Sequence, residues 1–244
     1  MRSFKRNKKG QFVIIAVLLV AIMIVSIGAL LHGAVTYYKH EPWEEYSTLI
    51  RDVELNSRQL LELSLVNYTQ TGNQNVLNES LSKWQKDLLR IYPGVAINLE
   101  FTLASGPTNV GGSNLNLEKG LVRYWNQTIS SSAAKANFSL SINSMGIAGY
   151  AFTAEILLKL EIVGYDATAS RVTVIVTSEN GVQVSKLNQD NFKANNAAVG
   201  NVTSSYDQVL AALKYGVGYQ GSSPPVVEVW DQRGIHIIGY RLSP

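Results

Sequence analysis

The sequence predicts an α+β fold in which an N-terminal transmembrane helix and an amphipathic helical hairpin precede an antiparallel β-sheet domain and a β-rich C-terminal region. Three patterns carry this expectation. No Asp, Glu, Lys or Arg occurs from Phe12 to His32; apolar residues recur at steps of three and four between Trp43 and Ile91; and from Val95 onward the period changes to two.

The chain of 244 residues has room for a membrane segment plus one or two small domains, and its 46% hydrophobic content is ordinary for globular protein. The formal charge is +3, but Arg2, Lys5, Arg6, Lys8 and Lys9 all precede Gln11, and the sequence beyond them is slightly acidic. Such a body lacks the clustered positive face that nucleic-acid binding requires, so no nucleic-acid partner is expected. The absence of cysteine removes disulfides, thiolate nucleophiles and cysteine-ligated metals together.

Residues 1–10 read as a basic leader and 11–41 as the spanning helix with its outer flank. As a helix, Phe12–His32 rises about 30 Å, enough to cross a hydrocarbon core. A secretory signal would have a shorter apolar region followed by a small-x-small site, and "LLHGAV" places His32 where a small residue is needed. The lysines and arginines keep the N-terminus cytoplasmic by the positive-inside rule. Everything beyond about Tyr37 is then extracytoplasmic, with Tyr37, Tyr38 and Trp43 at the outer interface. Membrane lipid is the first expected partner.

At the junction, "RNKKGQFVIIAV" runs from a basic stretch through Gly10 and Gln11 into the apolar helix. This order resembles the class III signal peptide of type IV pilins, archaeal ones in particular. The resemblance covers the N-terminal segment up to the end of the apolar run and nothing beyond it. It implies cleavage between Gly10 and Gln11 by a prepilin-type peptidase, retention of the apolar helix, and packing against homotypic subunits in a filament on the cell surface, with the head serving adhesion. Glycine leaves an extended backbone unencumbered for a protease, and the lysines hold the junction at the membrane face. Ile15 stands at the fifth mature position, where many bacterial pilins have Glu and archaeal relatives often do not. Ala16, Ala21, Ser26, Gly28 and Ala29 are candidates for close helix approach.

The hairpin is expected over 42–93. Tyr46, Ile50, Val53, Leu60, Leu61 and Ser64 form one stripe after the break at Pro42, and Leu77, Leu81, Trp84, Leu88 and Ile91 form the other, ended by Pro93-Gly94. The two stripes can bury one another across "TQTGNQ". Sheet is expected over 94–165: Val95, Ile97, Leu99, Phe101 and Leu103 alternate with polar residues. "ASGPTNVGGSNLNLEKG" reads as a mobile loop, and alternation resumes through Phe138, Leu140 and Ile142 and from Phe152 to Ile162. One face of this sheet is solvated and the other available to the helices. Near Asp166 a second unit is expected, 166–244. Its strand, Glu-Asn-Gly turn and second short strand resemble the start of an immunoglobulin-like surface domain, and its end reads as a hairpin turning between Asp231 and Gly234. "YDQVLAALKYG" fits helix and strand equally.

Little in the chain points to chemistry. His32, His40 and His236 have no metal-ligand spacing, and His236 reads as a solvated strand residue. The turn composition of "NQDN" around Asp190 accounts for it without calcium, and Glu44-Glu45 suit a helix start. No nucleophile elbow, P-loop or dinucleotide fingerprint occurs. No enzymatic activity, cofactor or metal is expected. Sequons at Asn67, Asn78, Asn126, Asn137 and Asn201 become candidate N-glycosylation sites in an extracytoplasmic head, Asn137 least of all because it begins a strand. The alternative to a pilin-like subunit is an uncleaved single-pass envelope protein whose β ectodomain binds a partner or carbohydrate.

Overall fold

A computed structural model describes the backbone of residues 8–39, 43–125, 127–221 and 225–240, and the side chains of these except 8–15, 33–39, 43–45 and 145. It is α+β, with three helices and antiparallel sheets. The chain divides into two compact units, 1–51 and 52–244.

In the first unit, α1 (Lys8–Lys39) is a continuous 32-residue helix without proline. Every described side chain on it, 16–32, is exposed, Leu30 to 73% and Val25 to 71%. Among the described residues no helix is long and apolar enough to cross a membrane, and the stretch expected to span, Phe12–His32, begins ahead of the described side chains. The backbone of Gly10 and Gln11 is helical, in the first turn of α1, where an extended junction was expected. The first N–H groups of a helix lack intrahelical acceptors, so this turn opens at small cost.

Helix α2 (Trp43–Thr71) runs across the boundary between the units, and α3 (Val76–Ile91) follows four residues later. Within the second unit, α2 buries Val53, Ser57, Leu61, Ser64, Leu65 and Tyr68, a row at helical spacing. Leu60 is only half-buried, so the stripe centres on its neighbour Leu61. On α3, Leu77, Leu81 and Leu88 are buried and Trp84 is half-buried. Ile91, expected to continue that stripe, is 56% exposed because the helix stops there. Both helices rest on sheet: α3 packs on β1 (Ile97–Leu103), and the α2 residues Tyr68 and Thr69 engage Arg123 and the backbone N–H of His236.

The large sheet has the order β1, β5 (Ile129–Ile142), β6 (Ile147–Asp166), β7 (Arg171–Thr177), β11 (Ala212–Gly218), β10 (Val202–Asp207), with β4 (Leu121–Tyr124) beside β5. Alternation sets its inner face, where Phe138, Leu140, Ile142, Ala154, Ile156, Leu158 and Leu160 are buried. The position expected as a domain boundary, 166, is the last residue of β6, where the chain turns directly into β7 and pairs with it. Regions 94–165 and 166–244 therefore share one sheet, because the Val172–Val176 alternation continues the same apolar face. The segment that fitted helix or strand equally is the β10–β11 hairpin. Asp207 accepts from the N–H groups of Val209 and Leu210 and pairs with Lys214, fixing the turn.

A smaller sheet, β13 (His236–Tyr240), β12 (Val226–Trp230), β8 (Phe192–Ala194), β9 (Ala197–Ala198), lies against the same inner face. Phe192 meets Tyr215 with ring centroids 5.6 Å apart, and Ser132 donates to the carbonyl of His236 at 2.8 Å. On the opposite face the expected loop is a two-stranded hairpin, β2 (Gly106–Val110) and β3 (Ser113–Leu117). Its turn is Gly111-Gly112, with φ of 52° and 87°, the left-handed pair a two-residue hairpin needs. The hairpin buries Val110 and Leu117 against Ala104, Ala133 and Leu157, a satellite core beneath the sheet.

Candidate functional site

The most concentrated set of polar and aromatic side chains converges at the β12–β13 hairpin. Hairpin register pairs Trp230 with His236 and brings Glu228 diagonally beside it. The His236 ring stacks on Trp230 at 4.3 Å and 6°, meets the edge of Trp125 at 5.1 Å, and its Nε2 lies 3.1 Å from Glu228 Oε2. Trp125 Nε1 donates to Ser132 Oγ. Cations close the row at both ends, Lys193 Nζ 5.0 Å above the Trp230 ring and Arg123 between Tyr68 and Trp125 at 4.9 and 5.0 Å. His236 is thus half-buried in an aromatic box, not solvated as its strand position suggested. Burial pushes its pKa below the ordinary value, and the Glu228 carboxylate opposes without overcoming that. Glu228 Oε1 is buried with no hydrogen-bond partner among the described residues. A neutral imidazole between two indoles and a carboxylate joins the two strands and α2.

A second cluster centres on Arg233, in the turn of the same hairpin. Its guanidinium donates to Asp231 Oδ2 at 2.7 Å, to Glu179 Oε1 at 2.8 Å and to the carbonyl of Leu157 at 3.2 Å. Glu179 Oε1 also accepts from the Leu157 N–H at 3.0 Å. Burial pushes the Glu179 carboxyl up, but the hydrogen bonds from Arg233 and Leu157 outweigh it and hold it below its ordinary value. Nearby Glu62 is raised, chiefly by burial. Sequence reasoning missed both clusters, whose members are brought together only by the tertiary fold.

Two adjoining clefts flank the β2–β3 hairpin on the outer face. One, about 450 Å³, is lined by Asn114, Tyr124, Gln127, Thr128 and Ser131; the other, about 480 Å³, by Gly111, Glu161, Thr177 and Asn180. Ser113 and Lys159 line both. Tyr124 is 52% exposed, and Lys159 pairs with Glu161 at 3.6 Å. Hydroxyls, amides, the Lys159–Glu161 ion pair and an aromatic ring, set among Leu115, Ile129 and Ile175, form a surface able to hydrogen-bond a polyhydroxylated ligand and stack on it.

Gly10 and Gln11 lie far from these groups in sequence, on α1; the side chains of both, and that of Ile15, lie outside the described set, as do Glu44 and Glu45. Asn67, Asn78, Asn137 and Asn201 are exposed, while Asn126 and His40 lie outside the described residues. Asn137 stands mid-strand in β5 and accepts from Thr153 Oγ1 at 2.9 Å. Asn67 lies on α2 ahead of a Thr69 hydroxyl that is buried and donates to the Val66 carbonyl. Asp190 belongs to a short 3-10 turn closed by a capping box from Asn188 and Asn191, and among the described residues no group of three His, Cys, Asp or Glu is placed to hold a metal. No known family matches the chain, and no curated protein and no solved structure shows similarity to it.

Proposed function

We propose that this chain is a membrane-anchored, extracytoplasmic surface protein of the archaeal type IV pilin-like kind, a subunit for filament assembly or adhesion. One observation carries the reading: α1 is a long helix whose described side chains are apolar almost throughout and exposed on every side, while residues 52–244 have a separate core of their own. Such a helix is stable in water only when covered, and its sequence suits lipid first and other copies of itself afterwards. The uncharged run from Phe12 and the basic residues before Gly10 support a cytoplasmic N-terminus and a head outside. The facing sheets of the C-terminal region, with Phe192 and Tyr215 between them, support an immunoglobulin-like comparison. Mass spectrometry of the N-terminal peptide from native envelope tests the proposal. A mature start at Gln11 is expected, and intact Met1 would overturn it.

The outer-face clefts favour a second reading, an uncleaved envelope protein whose β head binds carbohydrate. It requires intact Met1 together with glycan binding that Tyr124→Ala abolishes.

A further inference from the structure

Strand β6 is 20 residues long, yet β7 pairs with it only from Lys159 onward. On the other side β5 pairs with β6 along nearly its whole length. Leu157, two residues beyond the last position paired with β7, directs its N–H and C=O away from β5, and there the side chains of Glu179 and Arg233 take the place of the missing strand. The β5–β6 register is unbroken from Ala151 to Glu161. By the two-residue period of an antiparallel ladder, Glu155, Thr153 and Ala151 turn their N–H and C=O groups the same way as Leu157. Among the described residues no strand pairs with them on that edge. Ala151 and Thr153 are exposed, and the stretch Tyr150–Ile156 contains no lysine, proline or bulge of the kind that blunts natural sheet edges.

We infer that this edge of β6 is a strand-addition site for β6 of a second copy of the chain, paired antiparallel about a two-fold axis at Thr153. The sequence is self-complementary in that register. Thr153 faces its own counterpart, Ala151 faces Glu155, and on the other face Phe152 faces Ala154, large against small. No like charges are opposed, and each Glu155 is already paired with Lys135 at 3.1 Å. Three hydrogen-bonded residue pairs supply about six inter-chain backbone hydrogen bonds, and the two large sheets become one. The open stretch has an end on each side: Leu157 is capped, and beyond Tyr150 the β5–β6 register shifts and Gly149 turns its N–H to Ser141 Oγ of β5. The site is thereby confined to Ala151–Glu155. This contact is independent of leader removal and of α1, so it stands or falls separately from the pilin-like reading.

The test is amide hydrogen exchange of the full chain in detergent micelles, at low and at high protein concentration. The amides of Ala151, Thr153 and Glu155 should exchange quickly when dilute and at least tenfold more slowly when concentrated, and Thr153→Lys, which opposes two ammonium groups across the axis, should abolish the slowing. Rates unchanged by concentration, whether fast or slow, overturn the inference. The chain has no cysteine, so Thr153→Cys gives an independent readout. It should form a disulfide-linked dimer on mild oxidation, whereas Asn98→Cys, on the exposed side of β1, should not. Equal yields from the two variants also overturn it.

Discussion

Arg233 holds two carboxylates that are themselves less exposed than it is, with side-chain exposures of 22% for the arginine, 15% for Glu179 and 3% for Asp231. Arg233→Met leaves both acids without their cation, and breaking a buried pair in this way costs about 3 kcal/mol. Glu179→Gln retains an acceptor for the Leu157 N–H and gives up only charge, so about 1 kcal/mol is expected; urea denaturation of the two variants should rank them in that order. His236 makes stability depend on pH. Its folded pKa lies below the ordinary value of about 6.5 because burial favours the neutral ring. The unfolded chain then binds the proton first, so stability is full above that value and falls as pH drops through it. His236→Gln, which retains a donor toward Glu228, should flatten that part of the stability curve, and parallel curves for variant and parent would refute the assignment. Neither cluster was legible in the sequence. Glu228 and His236 are separated by eight residues, a spacing that means nothing until the hairpin register is known, and Leu157 contributes to the Arg233 cluster through its backbone.

At the scale of elements, alternation in β1, β5 and β6 could be read directly because each of these strands has one dry face along much of its length. The β2–β3 hairpin was passed over, although Gly111-Gly112 between Val110 and Ser113 is a two-residue hairpin signal. Its flanks, rich in Asn and Ser, masked a buried face of only Val110 and Leu117. Two predictions belong here. A Cβ on Gly120, at φ +78°, would lie 2.8 Å from Leu77 Cδ2 and 2.9 Å from the Lys135 carbonyl, where α3 crosses the sheet. Gly120→Ala should therefore cost about 2–4 kcal/mol through backbone strain and overpacking together, read from the shift in urea midpoint. On α2, the hydroxyls of Ser57 and Ser64 are buried without a partner among the described residues. Ser57→Ala and Ser64→Ala should each raise stability by about 0.5–1 kcal/mol, since an unmade hydrogen bond is removed and helix propensity improves.

For the whole molecule, residues 52–244 hold their own core, and a chain beginning at Trp43 should be soluble without detergent and unfold within a few degrees of the full chain's midpoint. Aggregation of that fragment at low concentration would contradict this division. The strand, Glu-Asn-Gly turn and second short strand beyond Asp166 suggested a second unit there, but a strand that begins a new sequence pattern can still extend an existing sheet, as β7 does beside β6. The capping of Leu157 by Arg233 also has a consequence in time. The guanidinium lies 76 residues further along the chain than the carbonyl it covers, so a ribosome releases β6 long before the residue that finishes its border. Throughout that interval the growing chain carries an incomplete seam, which only the β12–β13 turn closes. A nonsense mutation anywhere between Thr177 and Arg233 would leave that seam permanently open, and the truncated product should be found in insoluble aggregate even where most of the large sheet has been made.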